Sequence, residues 1–181
     1  MRSTFALRLQ STRPACRVVA PPKCVMPPYA QDAKRLSLLF DYGVASEQEV
    51  IAWADSQIVA LDSPPDSLLQ LAITSPADTA AIITHLHSLS ADAEFWPAFR
   101  ATLPQLHEHV RTHPADAERI ANSLYHTILM FSDVPTEFSF AYHFDYAFSL
   151  AREGIFGDED EVRREFIHEL KRFAPLAQLL A

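Results

Sequence analysis

The sequence predicts an all-α protein, a single-domain irregular or orthogonal bundle of about eight helices. Through most of residues 32–173 apolar side chains recur every three or four positions, which is the spacing of one helix face. In one segment bulky apolar residues occupy every second position, as they would in a strand, but the sequence contains no second such segment to pair with it. Only three glycines occur, and each falls at a predicted helix end: Gly43, Gly154 and Gly157.

The alternating segment is the predicted central helix, residues 134–153. It is long for a strand, Asp133 can cap a helix there, and Pro135 suits a first helical turn. Wound as a helix, its bulky residues form two apolar stripes, so we expect a central helix with neighbours on both sides. The residues of the stripes are Phe138, Phe140, Tyr142, Phe144, Tyr146, Phe148 and Leu150.

The other helices follow from caps, prolines and apolar spacing. Ser46-x-x-Glu49 is a capping box that begins one of them. Pro97 and Pro104 interrupt another, so we expect either a kinked helix or two short ones. Six of the eight predicted helices have both ends defined: residues 32–42, 46–61, 92–111, 115–131, 134–153 and 159–173. Two more lie between the second and third of these. One begins at Pro64 and Pro65, with Leu68, Leu69 and Leu71 inside, and the other begins at Pro76.

Residues 1–31 differ from the rest of the chain in composition. They contain five basic residues, several prolines, both cysteines and no acidic residue. This composition is typical of a transit peptide; the alternative is that translation begins at Met26. In either case we expect a basic, proline-rich leader that is disordered or missing from the mature protein, and a single all-α domain over residues 32–181. Because that domain has no cysteine, disulfides and thiol chemistry are excluded there.

The charge of the chain excludes several classes of partner. Residues 32–181 carry 10 Lys and Arg side chains against 23 Asp and Glu, a formal net charge of −13. The stretch from Leu36 to Phe99 contains nine acidic residues and no Lys or Arg. Such a field repels nucleic acid and anionic membranes and attracts basic proteins, although an acidic surface that only keeps the protein soluble is the alternative. Clustered glycines for phosphate binding are missing as well.

Trp53 marks a candidate partner-binding site on the predicted helix 46–61. It lies at the edge of the apolar arc, amid the carboxylates of Glu47, Glu49 and Asp55. A large aromatic side chain amid acidic residues is typical of an anchor for a basic partner. The alternative is a tryptophan at the edge of the core.

Two histidine patterns raise the question of a metal. His109 and His113 share a helix face, with His107 near in sequence, but a zinc site needs three or four converging ligands. The Glu165-x-x-His168 pattern occurs once, whereas di-iron bundles need it twice. We therefore expect no metal and no cofactor, and a solvated helix end is the alternative for the His109–His113 pair.

His143 and Asp145 are polar groups within the aromatic helix, and each needs a partner there. With Tyr142 they could line a pocket and act as acid and base. The alternative is a structural role, in which they pair with an arginine such as Arg119 or Arg152.

Part of the chain is similar to a known group of proteins. Residues 36–72 contain Leu38-Leu39, Tyr42-Gly43, Ser46-x-x-Glu49-Val50-Ile51-x-Trp53-Ala54-Asp55, Pro64-Pro65 and Leu69-x-Leu71-Ala72. This pattern resembles small acidic all-helical bacterial proteins of unassigned function, some of which are treated as immunity proteins of toxin systems. The resemblance implies a cytoplasmic protein that masks the active site of a toxin, with no catalytic residues to transfer, and the basic leader departs from it.

These observations lead to three expectations about function. The first is a non-enzymatic interaction protein whose acidic half binds a basic protein, such as a nuclease-type toxin. The second is a small-ligand-binding protein or enzyme with a pocket around His143 and Asp145. The third is a homo-oligomer that buries leftover aromatic surface. We expect a cytoplasmic location, or an organellar one if residues 1–25 are a transit peptide.

Overall fold

The computed structural model of the chain describes residues 26–155 and 157–174. Within these ranges the chain forms eight α-helices and no strand, so the predicted all-α fold is confirmed. Residues 1–25 of the expected leader lie outside the described residues. The helices are α1 (Ala30–Asp41), α2 (Glu47–Ala60), α3 (Asp66–Ile73), α4 (Thr79–Leu89), α5 (Phe95–Thr112), α6 (Ala117–Leu129), α7 (Phe140–Arg152) and α8 (Glu159–Lys171).

Two apolar clusters hold the helices together. The larger cluster is formed by α1 and α5–α8, and the smaller one by α1–α4. Helix α1 belongs to both, because Leu38, Leu39 and Tyr42 pack in the larger cluster while Ala33 and Leu36 pack in the smaller one. Helix α1 therefore joins a lobe made of α2–α4 to the rest of the bundle. It begins two residues before the predicted start of the domain.

Helix α2 begins with the predicted capping box. The Ser46 hydroxyl accepts a hydrogen bond from the Glu49 backbone N–H at 3.3 Å, and Glu49 Oε2 accepts one from the Ser46 backbone N–H at 2.7 Å. The Ser46 hydroxyl also donates to the same carboxylate at 2.8 Å. The backbone hydrogen bond from Ser46, followed by the one from its hydroxyl, lowers the pKa of Glu49.

Removal of this cap should weaken the start of α2. Ser46→Ala is expected to lower the free energy of unfolding by about 1 kcal/mol, because backbone N–H groups of the first turn lose their side-chain acceptor. Urea denaturation measures the change. Ser56→Ala is the matched control, since its hydroxyl donates only to the Trp53 carbonyl on the exposed side of the same helix; a change within about 0.5 kcal/mol is expected there. Equal losses in the two variants would contradict the capping role.

Helix α5 is a single helix of 18 residues that contains both Pro97 and Pro104. The alternative of two short helices is therefore wrong. Pro97 falls in the first turn, where backbone N–H groups have no intrahelical partner to lose. Helix α5 packs against α1 on one side and α8 on another, and the side chains that it buries completely are Ala98, Phe99, Thr102, Leu103, Leu106 and Val110.

The predicted central helix is α7, and it is shorter than the predicted range of 134–153. A 3₁₀ turn, Thr136–Phe138, precedes it, and the helix itself packs between α6 and α8. One of its two stripes is buried as predicted, with Phe144 and Phe148 in edge-to-face contact with Phe166 of α8.

The second stripe of α7 faces solvent. Tyr142 is 38% exposed and Tyr146 is 64% exposed. Helix α7 therefore has the predicted neighbours on both sides, α6 and α8, but these helices leave Tyr142 and Tyr146 partly uncovered. Tyrosine tolerates such a position because its hydroxyl stays hydrated while the ring lies along the surface.

Candidate functional site

The run without Lys or Arg folds into one part of the molecule, which we call the acidic lobe and define as residues 41–94. It consists of α2–α4 with their connecting turns, around the smaller apolar cluster. Eight of its nine acidic residues are exposed, and Glu47 is half-buried. The nine are Asp41, Glu47, Glu49, Asp55, Asp62, Asp66, Asp78, Asp92 and Glu94.

The carboxylates of the acidic lobe have no ion-pair partners among the residues that the structure describes. Eight ion pairs occur within those residues, and all of them join groups outside the acidic lobe. Two lobe carboxylates have a structural task, because Glu49 caps α2 and Asp78 accepts a hydrogen bond from the Ala81 backbone N–H at the start of α4. The lobe therefore presents negative charge that its own described side chains do not neutralise.

Exposed apolar side chains accompany this charge on α3. Leu69 is 39% exposed and Ile73 is 77% exposed. They lie one turn apart on the same face of α3, with Asp66 one turn before Leu69. The prediction that Leu69 lies inside the protein is therefore wrong, and sequence reasoning missed this face because all the leucines of α3 were assigned to the core.

The four predicted partner-binding residues of α2 do not form one patch. Trp53 is half-buried and packs against the smaller apolar cluster, while Asp55 is exposed. Residues two apart on a helix point in nearly opposite directions, so these two lie on opposite edges of α2. Glu49 is engaged in the cap. The core-edge alternative describes Trp53 better than the anchor does.

Glu47 lies in a surface groove instead. The groove has a volume of about 560 Å³ and separates the α1–α2 turn from the start of α4, with Asp41, Glu47 and Thr79 among its lining residues. Asp41 is exposed as a residue, yet desolvation of its carboxyl group in this groove raises its pKa, and electrostatic interactions with His87 and Lys34 oppose that rise. Two carboxylates of the acidic lobe thus share this groove.

The structure separates the predicted acid–base residues of α7. Asp145 Oδ1 accepts a hydrogen bond from Asn122 Nδ2 of α6 at 2.8 Å. His143 lies on the other edge of α7 and lines a cleft next to Glu165 of α8. Tyr142 points into neither contact, since its ring meets Tyr125 edge-on. The three side chains therefore do not converge on one point, and Asn122 takes the place of the arginine expected beside Asp145.

His109 and His113 stack on each other at the end of α5. Their ring centroids are 4.8 Å apart, and His109 Nε2 lies 2.7 Å from Asp116 Oδ2. That hydrogen bond, together with Arg119, lowers the pKa of Asp116. Within residues 26–155 and 157–174, no group of three or more His, Cys, Asp and Glu side chains is arranged to hold a metal ion. The contacts of the pair are those of a polar helix end.

None of the described helices combines the length and the apolar character needed to cross a membrane. Comparison of the chain with family models, with curated proteins and with solved structures found no match. The resemblance of residues 36–72 to immunity-type proteins therefore stays a prediction.

Proposed function

We propose that this chain is a non-enzymatic interaction protein whose acidic lobe binds a basic protein partner. The observation that carries the proposal is the charge of the lobe, in which nine carboxylates and no Lys or Arg share one part of the fold. All the described ion pairs lie elsewhere. Basic side chains of a partner would supply the missing counter-charges and would accelerate its association.

The exposed face of α3 provides the apolar part of such an interface. Long-range charge selects the partner and speeds encounter, but buried apolar contacts supply most of the affinity. Leu69 and Ile73 offer these contacts next to the carboxylate of Asp66. We therefore place the centre of the binding surface on α3, with the exposed side of α2 at its edge.

An immunity-type inhibitor is the kind of interaction protein that fits these features. An enzyme that cleaves nucleic acid binds a polyanion through a basic surface. The acidic lobe would present carboxylates to that surface in the way that the substrate presents phosphates. The proposed partner is therefore a nuclease-type toxin whose active site the acidic lobe covers.

Capture from the native lysate tests this proposal, with residues 26–181 as bait. The wild-type chain is expected to retain a basic protein at low salt and to release it at high salt, because surface charges are screened within about 10 Å at 0.1 M salt. The variant Asp55→Lys/Asp62→Lys, which changes two exposed carboxylates of the acidic lobe, is expected to retain much less of it. Neither residue forms a described ion pair or a helix cap.

The matched control is Asp133→Lys/Glu153→Lys, which changes the charge by the same amount outside the acidic lobe. Both of these residues are exposed. The control is expected to capture the partner as well as the wild-type chain does. Equal loss of capture in the two variants would show that net charge, and not the acidic lobe, governs binding, and the proposal would then fail.

A further inference from the structure

A second groove lies between α7 and α8. It has a volume of about 550 Å³ and is lined mainly by apolar surface. Ala147, Leu150 and Val162 form its floor, and Tyr146 stands beside them. Because Tyr146 is 64% exposed, its ring extends the apolar surface of the groove toward solvent. The groove lies outside the acidic lobe and is lined by none of its residues.

Two carboxylates stand along the α8 side of this groove. Glu161 and Glu165 lie one turn apart, so they share a helix face and repel each other. Within the described part of the chain neither side chain forms an ion pair, although Asp160 and Glu169 of the same helix are both paired with arginines. Glu161 is favoured by its place in the first turn of α8. Glu165 lies beyond that turn, so the helix dipole does not stabilise its negative charge in the same way.

We propose that this groove binds a small organic cation with an apolar body, such as an ammonium group attached to a hydrophobic chain or ring. The apolar body would cover the floor made by Ala147, Leu150 and Val162. The ammonium group would lie next to Glu161 and Glu165 and would relieve the repulsion between them.

The geometry also favours a cation over other ligands. The face of the Tyr146 ring attracts positive charge, and the carboxylates repel anions. The volume falls within the range of about 300–1,000 Å³ that is usual for small-molecule sites. Gly157 and His143 are also among the lining residues.

A neighbouring cleft explains why the cation belongs in this groove. His143 and Glu165 also line a cleft of about 640 Å³ at the other end of the α7–α8 interface. That cleft contains Arg164 and Arg172 in addition. Two of the three carboxylates of that cleft are already paired, Glu137 with Arg100 and Glu169 with Arg172, and Arg164 adds a positive charge. The apolar groove, by contrast, has no arginine or lysine among its described lining residues.

Three probes of the same shape test the proposal: 4-phenylbutylammonium, 4-phenylbutanol and 4-phenylbutyrate. Each is titrated into the full chain while NMR follows the chemical shifts. We expect the ammonium probe to bind about fivefold more tightly than the alcohol, because attraction to two exposed carboxylates adds an affinity of that order. The carboxylate probe should bind most weakly, because the same two groups repel it. The shifts should centre on Ala147, Leu150 and Val162.

Two variants identify the source of the preference. Glu161→Gln/Glu165→Gln is expected to bind the ammonium and the alcohol equally, and to keep the affinity of the wild-type chain for the alcohol. Ala147→Phe, which fills the floor, is expected to weaken all three probes. Glu153→Gln/Glu159→Gln is the control and should retain the preference for the ammonium.

Equal affinity of the wild-type chain for the three probes would overturn the proposal. So would a preference for the ammonium that survives in Glu161→Gln/Glu165→Gln, or shifts that centre on residues outside the groove. None of these outcomes depends on the acidic lobe, so the partner-binding proposal and this one can fail separately.

Discussion

Phe144→Ala is expected to lower the free energy of unfolding by about 3–5 kcal/mol. Phe144 is only 5% exposed, and its ring contacts Phe166 of α8 edge-to-face at 5.2 Å between centroids. Truncation would remove this contact and leave a cavity between α7 and α8, which neighbouring aromatic rings fill poorly. Urea denaturation of the variant and the wild-type chain measures the loss.

Tyr146→Ala on the same helix is the matched control. Tyr146 is 64% exposed, and the helix propensity of alanine offsets part of its lost contacts. We expect a change within about 1 kcal/mol. A loss in Tyr146→Ala equal to that in Phe144→Ala would contradict the exposed position of Tyr146 on α7. An unchanged stability in Phe144→Ala would contradict the buried stripe itself.

Leu68→Ala is expected to cost about 2–5 kcal/mol and to act mainly on the acidic lobe. Leu68 is completely buried in the smaller apolar cluster. Because α1 is the helix that belongs to both clusters, loosening the smaller one should open α2–α4 before α5–α8 unfold. Amide hydrogen exchange should therefore lose protection in α2–α4 more than in the other helices.

A substitution at the neighbouring residue, Leu69, distinguishes an effect on stability from an effect on partner binding. Leu69 is 39% exposed, so Leu69→Ala is expected to cost no more than about 1 kcal/mol. If the face of α3 contacts the partner, this variant binds it more weakly although its amide protection is unchanged. Equal loss of protection in Leu68→Ala and Leu69→Ala would show that both side chains belong to the core.

Local sequence signals predicted much of the fold. The capping box was predicted correctly because it depends only on Ser46 and Glu49, which belong to the same helical turn. The effect of a proline depends on its position, which is why α5 was only partly predicted. Pro97 falls in the first turn, and Pro104 lies inside a helix whose packing against α1 and α8 holds it together.

The exposure of the tyrosine stripe of α7 and of Leu69 in α3 was not predicted, for a different reason. Composition cannot say whether another element covers an apolar face. The neighbours of α7 reach the tyrosine stripe only at its edges, where Tyr142 meets Tyr125 of α6 and Tyr146 borders the groove next to α8. On α3, Leu69 stays 39% exposed.

Of the candidate site, only the negative charge could be predicted from the sequence. The absence of Lys and Arg between Leu36 and Phe99 is visible in the sequence, and the structure gathers that run into one lobe. Most of the described ion pairs join residues three positions apart, but some depend on contacts between distant segments that the sequence does not show, such as Arg152 of α7 with Glu118 of α6. The separation of His143 from Asp145 was deducible, because residues two apart on a helix face opposite ways.

The association rate of the captured basic partner, measured across a range of salt concentrations, tests the role of the acidic lobe most directly. For the wild-type chain the rate should fall steeply with salt, because charge steers the encounter. For Asp55→Lys/Asp62→Lys it should be slower at low salt and depend less on salt. The same rate and the same salt dependence in both proteins would contradict the proposal that the acidic lobe binds the partner.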